Sequence, residues 1–92
     1  MKTVLIDANK MKDKDFHDYF KKKLDLKGYH GNNLDAMYDV LSTLREELRI
    51  YVYDIDLENM TEYGNSIWRT LRELERQRDN ISLRTVSISK KY

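Results

Sequence analysis

Residues 48–54, LRIYVYD, alternate Leu48, Ile50 and Val52 with Arg49, Tyr51 and Tyr53. A two-residue period in β-branched and aromatic side chains specifies a strand with one buried face. Upstream, residues 2–6, KTVLI, read as a short buried opening strand with Asp7, Ala8 and Asn9 as its exit turn. Downstream, residues 81–89, ISLRTVSIS, read as a last strand. The apolar phase of that segment changes between Leu83 and Val86, so a bulge or a late start is expected there, and the final KKY should fray.

Helical periodicity fills the gaps between these strands. In residues 13–26, DKDFHDYFKKKLDL, the apolar Phe16, Tyr19, Phe20 and Leu24 recur at i, i+3, i+4 and i+8. Asp13 or Asp15 can cap the start, Lys21, Lys22 and Lys23 suit the negative end, and His17 falls on the polar side as a solvated residue. Gly28 and Gly31 punctuate a loop over 26–32. A second helix then begins at Asn32 or Asn33, packing Leu34, Met37, Leu41 and Leu44 inward with Tyr38 at the border. After an irregular or briefly helical connection over 55–63, Gly64 and Asn65 precede a long helix. It has Ile67, Trp68, Leu71 and Leu74 on one face and Arg69, Arg72, Glu73 and Arg76 on the other. Consecutive strands are thus joined through helices, which favours parallel pairing. The expected fold is α/β: a three-stranded parallel sheet packed with three or four helices, in a single domain spanning residues 1–92.

The chain has 92 residues, 40% hydrophobic and 36% charged, without proline or cysteine. That length bounds it to one small core, and the composition is that of a packed globule rather than a disordered segment. The lack of cysteine excludes disulfides, thiolate nucleophiles and cysteine metal sites, and fits a reducing compartment, so a cytoplasmic location is expected. The start, MKTVLID, has no export signal, and no apolar run is long enough to span a membrane. The net charge of +1 is unevenly spread: residues 1–32 carry eight Lys against five Asp, residues 33–63 eight acids against two Arg, and residues 64–92 seven Lys or Arg against three acids. The acidic middle attracts cationic partners at short range.

Within that middle, Asp35 and Asp39 stand one helical turn apart on the face opposite the apolar stripe, with Glu46 near the same side. Like charges at this spacing repel by roughly 0.2 to 0.5 kcal/mol. A plain solvated acidic face is one reading of the pair, and a surface awaiting a cation is the other. Catalysis finds no support: His17 and His30 have no nucleophilic turn beside them, and the two carboxylates share a convex surface rather than a cleft. No calcium-binding loop, His-rich cluster or glycine-rich phosphate loop is present, so neither a metal nor a cofactor is expected. The lysines around the first helix would suit RNA, but Asp13, Asp15 and Asp18 interleave with them as in an ion-paired solvated helix. Nucleic-acid binding is therefore the lesser alternative. His30 lies in the loop, where a binding contact and an inert residue both remain open.

The string Gly28-Tyr29-His30-Gly31-Asn32-Asn33-Leu34-Asp35-Ala36-Met37-Tyr38-Asp39-Val40-Leu41 resembles the signature of the barstar family of ribonuclease inhibitors. The order and length of the other elements agree over nearly the whole chain. The resemblance implies the same three-stranded parallel sheet, no enzymatic activity, and a bacterial cytoplasmic immunity protein, monomeric when free, that blocks a small basic secreted ribonuclease. It implies that the second helix and the loop before it plug the nuclease active site, with acids in place of substrate phosphates. Asp39 would be the central acid and Asp35 its partner. Tyr29, His30 and Asn33 would be loop contacts, Gly31 the point of close backbone approach, and Tyr38 an aromatic flank where relatives often carry tryptophan. Glu73 would be a final acidic contact, although Arg69 and Arg76 at i−4 and i+3 would neutralise it. Leu44 stands where some members carry an interface tryptophan. The positive total charge implies slower, more salt-tolerant association than an acidic relative would show. A binding module for another basic protein on the same fold is the main alternative.

Overall fold

The computed structural model describes residues 1–26 and 28–86. The expected fraying of KKY and the last residues of the closing strand, 87–89, lie outside the described residues. The elements are β1 (Lys2–Asp7), a 3-10 turn (Ala8–Lys10), α1 (Phe16–Leu24), α2 (Leu34–Ser42), β2 (Leu48–Tyr53), α3 (Glu62–Gln77) and β3 (Ile81–Val86). β2 lies between β1 and β3 and is parallel to both. This is the expected α/β fold, with three helices.

The register follows from the two-residue period. Val4 aligns with Ile50 and Leu83, and Lys2 with Leu48 and Ile81, so the buried positions of the strands form rows on one face of the sheet. Against them pack Phe16, Phe20 and Leu24 of α1, Met37 and Leu41 of α2, and Ile67, Leu71 and Leu74 of α3, in one buried cluster. The other face carries Thr3, Leu5, Arg49 and Tyr51, and Leu5 is 47% exposed.

Three local readings are corrected. The third helix starts at Glu62, before Gly64: the Thr61 hydroxyl accepts from the Gly64 amide at 3.0 Å and donates to the Lys12 carbonyl at 2.6 Å. Gly64 is a packing residue inside the first turn, since a Cβ there would lie 2.1 Å from the Met11 carbonyl oxygen and 2.4 Å from the Met60 sulfur. The second helix ends at Ser42, where the Ser42 and Thr43 hydroxyls both donate to the Asp39 carbonyl, so Leu44 is partly buried beyond the helix and Glu46 is off it. In β3 there is neither bulge nor late start. Pairing with β2 runs unbroken from Ile81 to Val86, and the apolar phase changes because the row of Ile81 and Leu83 continues in the exposed Thr85 while Val86 falls on the other face of the sheet.

The largest correction concerns His17, which is fully buried rather than solvated. Its Nδ1 lies 2.5 Å from the Tyr29 hydroxyl and its Nε2 2.6 Å from the Tyr63 hydroxyl. A neutral imidazole satisfies both, one ring nitrogen donating to one phenolic oxygen while the other accepts from the second phenol. Burial, with Lys21 as a lesser cause and Asp18 opposing, holds this imidazole below its ordinary pKa of 6.5. The unfolded chain takes up a proton near that pH while the folded chain resists it. The stabilisation is therefore complete above the unfolded pKa and is lost as pH falls through the folded one. Urea unfolding is expected to show a lower midpoint at pH 5.5 than at pH 7.5, a window in which carboxylates titrate little. An unchanged or higher midpoint at pH 5.5 would contradict a buried neutral His17.

Candidate functional site

The loop before α2 is fastened from one side by α1. Besides the His17–Tyr29 bond, Lys21 Nζ donates to Asn32 Oδ1 at 2.6 Å, and Asn32 Nδ2 donates to Asp18 Oδ1 at 3.1 Å. The Lys21 ammonium also lies over the Tyr29 ring, 5.1 Å from its centre. Residues 17, 18 and 21, spaced within one helical turn, thus hold positions 29 and 32 on the loop. Asp25 ends α1 in the left-handed region (φ 50°), its amide bonded to the Lys21 carbonyl, and Gly28 follows at φ 94°. Two left-handed residues so close together turn the chain back over α1.

The entry to α2 is fixed by Asn33. Its extended backbone and its Oδ1, which accepts from the Ala36 amide at 2.7 Å, make it the N-cap. Gly31 allows this arrangement, because a Cβ there would sit 3.0 Å from Asn33 Nδ2 and 3.1 Å from the Ala36 methyl. Asp35 then falls in the first turn, where the helix dipole favours a negative charge. Asp39 follows one turn later. Both side chains are exposed, and among the described residues neither enters an ion pair or a side-chain hydrogen bond. Two adjacent, solvated, uncompensated carboxylates on a capped helix can meet a cationic surface without first breaking internal bonds.

Tyr38 and Glu73 lie at the edge of this patch and are joined to each other. The Tyr38 hydroxyl donates to Gln77 Oε1 at 2.5 Å, and Gln77 Nε2 donates to Glu73 Oε1 at 3.0 Å. Arg76 pairs with Glu73 Oε2 at 3.1 Å, whereas Arg69 turns to the Ser66 hydroxyl at 3.2 Å. The expected neutralisation of Glu73 thus comes from Arg76 alone among the described residues. Leu34, Tyr38, Ser66, Arg69, Thr70 and Glu73 line a groove between α2 and α3.

Asp35, Asp39, His30 and Asn33 are all exposed on this one region, with Gly31 and Tyr38 half-buried beside them. Tyr29 is different. It is 5% exposed and its hydroxyl is engaged by His17, so its side chain supports the loop from beneath and offers almost no surface of its own. Its own acidity is suppressed by burial, with Tyr63 adding a smaller effect in the same direction. Sequence reasoning did not assign the supporting residues His17, Lys21 and Asn32. One signal for His17 was available: with Phe20 and Leu24 it stands at i, i+3 and i+7. Lysines are also less available than their number suggests, since Lys10 and Lys23 flank the Tyr19 ring at 6.0 and 5.6 Å. Among the described residues no group of three His, Asp or Glu side chains could hold a metal ion, and no helix is long and apolar enough to cross a membrane.

The family model described as Barstar (barnase inhibitor) matches residues 1–87, and the chain belongs to that family. No curated protein matches it. Asn33→Ala is expected to cost about 1 kcal/mol of stability through loss of the cap. It should also raise hydrogen-exchange rates at Asp35, Ala36 and Met37 ahead of the rest of α2, which NMR of the free chain would read. Uniform exchange along α2 would contradict the capping role.

Proposed function

We propose that this member of the barstar family is a cofactor-free cytoplasmic inhibitor, monomeric when free, of a small basic secreted ribonuclease, and protects the bacterial cell that makes both. In this reading α2 and the loop before it enter the nuclease active site. Asp39, with Asp35 beside it, takes the place of substrate phosphates against the cationic side chains that grip the RNA backbone. The observation that carries it is the presentation of two exposed carboxylates, unpaired among the described residues, at adjacent turns of a helix whose entry is capped by Asn33 and braced by α1. Two anionic groups held in place before contact lose little conformational freedom on binding, which favours tight association. His30, Gly31, Asn33 and Tyr38 border the acids and complete the contact surface, with Tyr29 beneath them and Glu73 at the margin.

The test is inhibition of RNA cleavage by a panel of small microbial ribonucleases, barnase among them. Truncation of Asp39 to Ala should cost about 3 kcal/mol or more in affinity, because it leaves the facing cations buried and unpaired. Truncation of the exposed Glu46 to Ala should cost under about 1 kcal/mol. Asp39→Lys should abolish inhibition, whereas Lys22→Glu should not. If the lysine change were the one that mattered, the chain would be an RNA binder instead. If no ribonuclease of the panel were inhibited while another basic protein was held by the same acids, the target would lie outside the nucleases.

A further inference from the structure

Beside the acidic patch lies its opposite. Arg69, Arg72 and Arg76 are exposed on α3 at i, i+3 and i+7, a row about 10 Å long at the helical rise per residue. With Trp68 and Glu73 they line a surface groove. Trp68, expected from its spacing to be core, packs against the core cluster but is only half-buried, and part of it lines this groove. Arg76 spends part of its charge on Glu73 and Arg69 donates to a hydroxyl, while Arg72 makes neither an ion pair nor a side-chain hydrogen bond among the described residues.

The two patches are continuous. Arg69 and Glu73 share one groove with Leu34 and Tyr38, the neighbours of Asp35 and Asp39, and the Tyr38–Gln77–Glu73 bonds tie the two helices together across it. A specific interface covers about 800 Å² on each partner. One centred on the two aspartates therefore extends onto the arginine row. Tryptophan and arginine are also the residue types most often found to dominate binding energy.

We propose that Arg69, Arg72, Arg76 and Trp68 form a second, cationic half of the docking face, selecting a protein partner whose basic cleft is bordered by carboxylates. This rests on the reading that α2 enters that cleft. A uniformly basic partner would meet the arginine row with like charge, so the row discriminates among ribonucleases that all accept the aspartates. A protein fits better than RNA, because α2 runs alongside this stretch of α3 and a polyanion on the row would have the carboxylates of Asp35 and Asp39 on the adjoining helix. A protein surface can alternate in sign over that distance.

The probe is the ribonuclease of the panel that the wild-type chain inhibits most strongly, with dissociation constants measured at one fixed ionic strength. The triple variant Arg69→Glu, Arg72→Glu, Arg76→Glu is compared with Lys12→Glu, Lys14→Glu, Lys22→Glu, which makes the same charge change at exposed positions outside both patches. Arg72→Glu alone serves as the mildest variant. The arginine triple should weaken binding at least about tenfold, as expected for like charges brought into contact, and Arg72→Glu should weaken it in the same direction. The lysine triple should stay within about twofold if the effect is one of contact rather than total charge. Unchanged or tighter binding by the arginine triple, with Asp39→Ala still disruptive, would overturn this proposal and leave the inhibitor reading intact. Indifference to Asp39→Ala, or a panel with no inhibited member, would overturn both. Binding of a single-stranded RNA oligonucleotide that is lost only in the arginine triple would reassign the row to RNA and overturn the proposal.

Discussion

A buried imidazole joins the three parts of the molecule that the site requires. His17, on α1, holds Tyr29 of the loop before α2 with one ring nitrogen and Tyr63 of α3 with the other. Burial favours the neutral imidazole here, in which one ring nitrogen donates to one phenol while the other accepts from the second. Its neighbours on α1, Asp18 and Lys21, hold Asn32 from outside. The loop is thus pinned at one point in the core and at another on the surface, and Asn33 enters α2 from a fixed position. The direction in which Asp35 and Asp39 project follows from that entry.

The acidic pair is a local conflict placed where the fold can bear it. Repulsion between the two carboxylates is small beside the burial of Met37 and Leu41 on the opposite side of the helix, so α2 tolerates it with no cation paired to either acid among the described residues. Arg69 lines the same groove as Leu34 and Tyr38, the chain neighbours of the two acids. Yet Arg69 turns to Ser66 and Arg76 to Glu73. Apart from the Arg76–Glu73 pair, opposite charges therefore lie side by side on one surface, and on the proposed reading a partner that matches it carries both signs.

How much of this was legible in the sequence depended on the range of the forces involved. The strands were legible because Leu48, Ile50 and Val52 report a sheet face through local alternation, and the parallel order followed from the helices between them. The outward position of Asp35 and Asp39 was legible for the same reason, as helical phase is local. The start of α3 was misplaced because Gly64 looks like a breaker in isolation. Only its approach to the Met11 carbonyl reveals a packing role. His17 was misplaced because its two hydrogen-bond partners come from positions 29 and 63, and no local pattern brings those tyrosines to it. The inward turn of Tyr29 follows from the same contact. Family resemblance supplied the ribonuclease, which no periodicity in these residues could name.

The central claim is that α2 occupies the place of the RNA backbone in a nuclease cleft. Competition measures this directly: the apparent dissociation constant of the chain for an inhibited ribonuclease is followed as a mononucleotide inhibitor of that enzyme is added. The expected result is a linear rise with nucleotide concentration, reaching no plateau, as for two ligands excluding each other from one site. A dissociation constant that levels off, or stays unchanged while the nucleotide is bound, would place the chain elsewhere on the enzyme and contradict the mimicry.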